Sequence, residues 1–194
     1  MSISHLINFV EGWPKEIPLA VEFRHTDWYN DKAIAEDLYQ LLEANNVSNI
    51  IVDSEDNAIV STVDQRTGNW EVYAWKLSPT GSMLWGSDGL AITNSSTSNM
   101  SPRLTILEDN SVVATCSHND GEILFQRISP DGDLLWGEGI VKQDDTGYLV
   151  SPQSIVDDDG HIMFQWLRQS SGWPIYSEIF VQKYDMGGDF LWME

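Results

Sequence analysis

The chain contains a single cysteine, Cys116, and that scarcity excludes an intrachain disulfide and any cysteine-built metal cluster. Cys116 lies in an apolar run, where a buried structural thiol is the ordinary outcome. Basic residues are the second shortage: ten Lys and Arg stand against thirty Asp and Glu, giving a formal charge of -20 at pH 7. A field of that sign repels phosphate backbones and anionic bilayers, so nucleic acid is excluded as a partner. Long hydrophobic runs are also missing. No stretch reaches the ~18 apolar residues that a membrane helix requires, and membrane insertion is not expected. Residues 1–10 carry no basic segment ahead of their short apolar stretch, so no signal peptide is visible. There is no phosphate-cradling glycine loop, no paired zinc-ligand spacing and no nucleophile elbow. No cofactor and no metal are expected.

What is present falls into two unlike parts. With 194 residues, 42% of them hydrophobic, the chain can build one ordinary core or a small domain with an appendage. Residues 4–10, with Leu6, Ile7 and Phe9 apolar, read as the end of a helix stopped by Gly12 and Pro14. Residues 17–24 are nearly continuously apolar at their centre, as in a strand buried on both faces. Asp31 is placed to cap a helix over residues 32–44, in which Ile34, Leu38, Leu41 and Leu42 form one stripe. Residues 47–52 are strand-like again, completing a β-α-β unit whose strands pair in parallel.

Beyond residue 47 the hydrophobic period changes from helical to alternating. The motif Ser129-Pro130-Asp131-Gly132-Asp133-Leu134-Leu135-Trp136-Gly137 has counterparts ending at Trp85 and Trp192. Aligned on it, three repeats of about fifty residues each emerge. Their first strands begin at Ser48, Ser101 and Ser151, and tight turns follow at Asp56-Asn57, Asp109-Asn110 and Asp159-Gly160. Second strands occupy residues 58–63, 111–116 and 162–167; third strands occupy 72–77, 123–128 and 179–184, with Lys76, Arg127 and Lys183 in equivalent places. Fourth strands are expected to end at Trp85, Trp136 and Trp192, whose rings pack between repeats with the indole N–H satisfied. The fold class is therefore mainly β: three four-stranded antiparallel blade-like repeats, a partial β-propeller, preceded by a small α/β segment. The domain division is 1–46 for the N-terminal segment and 47–194 for the repeats, with blades at about 47–97, 98–147 and 148–194. The stretch 48–53 is claimed by both parts, and one strand is not expected to serve both.

Two resemblances add to this reading. Pro18-Leu19-Ala20-Val21-Glu22-Phe23-Arg24-His25-Thr26-Asp27-Trp28, followed by the helix and Ile50-Ile51-Val52-Asp53, resembles a segment of the YecE-like family of uncharacterised TIM-barrel proteins. The resemblance covers residues 4–53 and implies that Glu22, Arg24 and His25 lie near a barrel strand end, where barrel active sites are built. The repeats resemble blade-like units of secreted and cell-surface proteins of the Bacteroidetes, on Pro102, Pro152, Gln126, Gln182, Gly137 and Gly139. The first copy departs from that pattern, with Val47-Ser48 in place of Ser-Pro and Trp75 in place of the glutamine. The first resemblance implies a cytoplasmic protein, and the second an extracellular or surface one.

The loops between second and third strands vary most, and they carry Trp70 and Trp173, which are read as stacking platforms for a sugar ring or a partner's side chain. Asp157-Asp158-Asp159-Gly160 lacks the downstream glutamate of a calcium loop and is read as a hairpin turn. The leading function is a non-enzymatic propeller-type module binding carbohydrate or protein, with homo-oligomerisation through exposed blade faces. Its alternatives are a fragment of a barrel-family enzyme using Glu22, Arg24 and His25, and a gene-fusion product without a dedicated function.

Overall fold

The computed structural model of the chain describes residues 3–14, 19–22, 37–38, 40–42, 44–45, 48–52 and 57–192. Helix α1 (Ile3–Gly12) buries Leu6 and Val10, one turn apart on the same face. They meet Leu38 and Leu42 of a second helical stretch covering residues 37–38, 40–42 and 44, with Leu19, Val21 and Leu41 packed around them.

Strand β1 (Ala20–Glu22) pairs in parallel with β2 (Ser48–Val52), as the intervening helical segment requires. The other edge of β2 pairs antiparallel with β3 (Ala58–Asp64). The expectation that one strand could not serve both parts is corrected here. A strand has two hydrogen-bonding edges, and β2 gives one to each. Strands β4 (Glu71–Leu77) and β5 (Leu90–Ala91) complete a first sheet ordered β1-β2-β3-β4-β5. The second sheet is β6 (Met100–Ile106), β7 (Val112–His118), β8 (Glu122–Ile128) and β9 (Ile140–Lys142). The third is β10 (Gly147–Val156), β11 (Ile162–Ser170) and β12 (Ser177–Tyr184). Among the described residues, no helix is long and apolar enough to cross a membrane.

The fourth strands are not where the sequence placed them. After the motif turn, only an isolated bridge joins Leu77 to Met83, Ile128 to Leu134 and Tyr184 to Phe190. The tryptophans lie in the loop that follows, and the pairing fourth strands are β5 and β9, further along; the third sheet has three described strands. Gly137 and Gly139, both at positive φ, bend the chain away from the ladder between the bridge and β9. The first strands also contain an irregularity: Ser101 and Ser151 have φ 55°, and the pairing register shifts across Ser-Pro in β6 and β10. Proline has no N–H to give to a ladder, so the two Ser-Pro pairs mark β-bulges.

Alternation assigns each sheet face to a neighbour. Val112, Ala114, Cys116 and Leu124 of the second sheet pack on Ile59, Val72 and Ala74 of the first. The intervening positions Val113, Ile123 and Phe125 pack on Ile162, Phe164 and Tyr184 of the third, with Phe125 stacked on Phe164 at 3.9 Å. The second sheet is thus covered on both faces. Each interface is tied by its motif tryptophan: Trp85 Nε1 donates to Pro130 O at 3.0 Å and Trp136 Nε1 to Met186 O at 3.4 Å.

Candidate functional site

Hydrogen bonds join the β3–β4 and β7–β8 loops to the connection between the first and second sheets. Glu71, 1% exposed at the start of β4, is the anchor. Its carboxylate accepts from Thr93 Oγ1 at 2.5 Å, Ser95 N at 2.8 Å and Asn99 Nδ2 at 2.9 Å. A buried carboxylate is tolerated when its lone pairs are met this way, and the three donors fix the connection from β5 to β6. Because Asn99 Nδ2 is committed as a donor, Asn99 Oδ1 is an acceptor, and His118 Nδ1 donates to it at 2.6 Å. Burial pushes the His118 imidazole below its ordinary value, against the raising influence of Glu122 and Glu71. Its Nε2 lies 3.9 Å from Glu122 Oε2, which accepts from Asn119 Nδ2 at 2.6 Å. Cys116 is buried nearby, and its thiol is raised to about 12 by desolvation and by Glu71, which makes it inert.

Beside this network opens a cleft of about 290 Å³, lined by Asp120, Glu122, Gln143, Asp145, Tyr148 and Ser171. Asp144 is part of the same lining. Its carboxyl is held below the ordinary value by hydrogen bonds from Thr146 Oγ1 and N, and by Arg168 3.6 Å away. A Cβ on Gly121 would lie 2.5 Å from Tyr148 Cδ1, so the glycine lets the ring lie over the β7–β8 turn. Tyr148 remains 44% exposed and forms the aromatic side of the cleft.

Trp173 stands in the loop that also carries Ser171, with 91% of its surface exposed. Trp70 is 41% exposed beside Glu71, and its carbonyl accepts from Asn99 N at 2.7 Å. The two tryptophans are not brought together, since they belong to the first and third sheets with the second between. Glu22 ends β1, while Arg24 and His25 lie outside the described residues. The Glu71–Asn99–His118 network and the cleft were not foreseen. Their residues come from segments far apart in sequence, and the only local signal was the short loop His118-Asn119-Asp120-Gly121.

Asp157, Asp159 and His161 offer ligand atoms within 4.8 Å of one another. The arrangement is the hairpin turn read from the sequence, with Gly160 N donating to Asp157 O at 3.0 Å. Asp157 accepts from Lys183 Nζ at 2.7 Å and from His161 N, which hold its carboxyl at about 2. That carboxylate is engaged by the protein itself.

An α-L-arabinanase of Penicillium chrysogenum, complexed with arabinobiose, superposes with a TM-score of 0.53 at 9% identity, over 73% of this chain and 47% of that one. The likeness is to a β-propeller. An endo-arabinase of Bacteroides thetaiotaomicron matches with a TM-score of 0.46 at 17% identity, over 75% of this chain and 61% of that one. A thermostable family-43 glycoside hydrolase matches at 0.45 and 12%, over 75% and 52%. The chain spans less than two thirds of the length of each of these proteins. In sequence, a family model described as "Protein of unknown function DUF72", a TIM-barrel-like family, matches residues 1–83. That match crosses β2 and runs past β4, about thirty residues beyond the stretch that carries the YecE-like resemblance. No curated protein matches the chain.

Proposed function

We propose that the chain is a non-enzymatic, propeller-type carbohydrate-binding module whose site is the cleft between the second and third sheets. One observation carries the reading: an exposed aromatic wall, Tyr148, stands in a cleft otherwise lined by carboxylates, an amide and hydroxyls, with Trp173 on the adjoining loop. Sugars present apolar C–H faces that stack on aromatic rings and hydroxyls that donate to carboxylates, and this pairing of groups serves both. The acidity of the lining disfavours anionic sugars and points to neutral glycans. The three sheets act as three blades in this proposal, with residues 1–46 as a segment of barrel ancestry from a family whose function is itself unknown. The propeller likeness, to a protein complexed with arabinobiose, makes that disaccharide a suitable first probe.

Titration calorimetry with neutral oligosaccharides tests the proposal on the wild type and on Tyr148→Ala and Trp173→Ala. Each substitution is expected to weaken binding about tenfold, the loss of one stacking contact. Absence of binding in the wild type, or equal affinity in all three proteins, overturns it.

A further inference from the structure

The motif shared by the three repeats is two devices in one. Its tryptophan, together with the cationic residue on the preceding strand, reaches the next sheet. Trp85 Nε1 and Lys76 Nζ both donate to Pro130 O, at 3.0 and 3.3 Å. Trp136 Nε1 and Arg127 Nη1 both donate to Met186 O, at 3.4 and 2.6 Å. Pro130 and Met186 hold the same place in their turns, the second position, two residues before Gly132 and Gly188. Those glycines are the floor on which the neighbouring indole lies. A Cβ on Gly132 would come within 2.9 Å of Trp85, and one on Gly188 within 3.0 Å of Trp136. Each interface is therefore a knob, formed by a tryptophan and a cation, in a socket, formed by a turn carbonyl and a glycine.

One knob and one socket remain unused among the described residues. On the third sheet, Trp192 is 44% exposed, and Lys183, ion-paired to Asp157 as Arg127 is to Asp109, stands in the cation's place. Around them Ile179 and Val181, the register equivalents of the buried Ile123 and Phe125, are 69% and 41% exposed. On the first sheet, the turn Ser78-Pro79-Thr80-Gly81 has the same backbone bonds as its counterparts, with Gly81 N donating to Ser78 O at 2.8 Å. Pro79 and Gly81 are exposed, no described residue beyond the chain neighbours comes within 4 Å of the place of a Gly81 Cβ, and Met83, equivalent to the packed Leu134, is 51% exposed.

We infer that the free knob of one molecule occupies the free socket of a second copy, with Trp192 Nε1 and Lys183 Nζ donating to Pro79 O. The occupant is a second copy because both halves of an interface already used twice within the chain are presented by the chain itself. The contact joins different surfaces of the two molecules, so it either closes a ring of copies or propagates.

Light scattering after size exclusion tests this on the full chain, with far-UV circular dichroism to show that each variant is folded. The wild type is expected to have a mass of two or more chains. Trp192→Ala and Ile179→Glu on the knob side, and Met83→Glu on the socket side, change exposed residues and are each expected to give monomers. An equimolar mixture of Trp192→Ala and Met83→Glu retains one intact knob and one intact socket and is expected to regain association. A monomeric wild type at the highest soluble concentration, association that survives in the folded single variants, or a mixture that stays monomeric overturns the inference; the first of these outcomes leaves the sockets to a partner other than this chain.

Discussion

Gln126 uses both ends of its amide to hold the motif loop of the second sheet. Its Nε2 donates to Gly137 O at 2.9 Å, and its Oε1 accepts from Trp136 N at 3.1 Å and Arg127 N at 2.9 Å. The side chain is fully buried, so replacing it leaves backbone groups without water to turn to. Gln126→Ala is expected to destabilise the protein by about 2–4 kcal/mol, read as a fall in the urea midpoint at constant slope. The first repeat reaches a similar end by other means. Trp75, in the glutamine's place, donates its Nε1 to Ser87 O at 3.3 Å and fills the space beneath Gly89. The substitution visible in the sequence as a departure from the pattern is thus a change of device. What could not be read there is that the loop's hydrogen bonds go to a side chain, since the run Leu-Leu-Trp has the composition of a strand.

At the scale of elements, the first, second and third strands of each repeat lie where the alternating hydrophobic period placed them. Asn110 and Gly160, both at positive φ, fix the hairpins β6–β7 and β10–β11 as their residue types require. The bulges escaped notice because serine does not announce a left-handed conformation. Ser151 at φ 55° adopts it nonetheless, and the register shift there aims Pro152 O at Thr115 Oγ1 of β7, 3.0 Å away. Ser151→Val places a β-branched side chain in a conformation it disfavours and is expected to cost about 1–2 kcal/mol. Ser151→Gly, in contrast, is expected to be neutral or stabilising, and thermal unfolding of the two variants separates them. Trp173 was legible as an exposed loop residue. The cleft beside it was not, because residues 120–122, 143–148 and 171 meet only after the second and third sheets have stacked.

For the whole molecule the dominant quantity is the formal charge of -20. Like charges within one compact chain, and between two copies approaching head to tail, repel over the Debye length of ~10 Å at 0.1 M salt. The described ion pairs, such as Arg66–Asp64 and Arg168–Asp144, are partly exposed and contribute little by comparison. Raising sodium chloride is therefore expected to raise the melting temperature, as calorimetry measures directly. A melting temperature that falls with salt shows that attractive pairs outweigh the net repulsion.

The shared strand β2 bears on how far the chain can be divided. A cut at residue 46, where the helical pattern gives way to the alternating one, removes β1 and leaves the N–H and C=O groups of β2 that faced it without partners. The repeats released in this way carry a bare strand edge rich in isoleucine and valine, a template for pairing with other chains. The N-terminal segment is thereby a guard against aggregation of the sheets it precedes, whatever else it was in its ancestry.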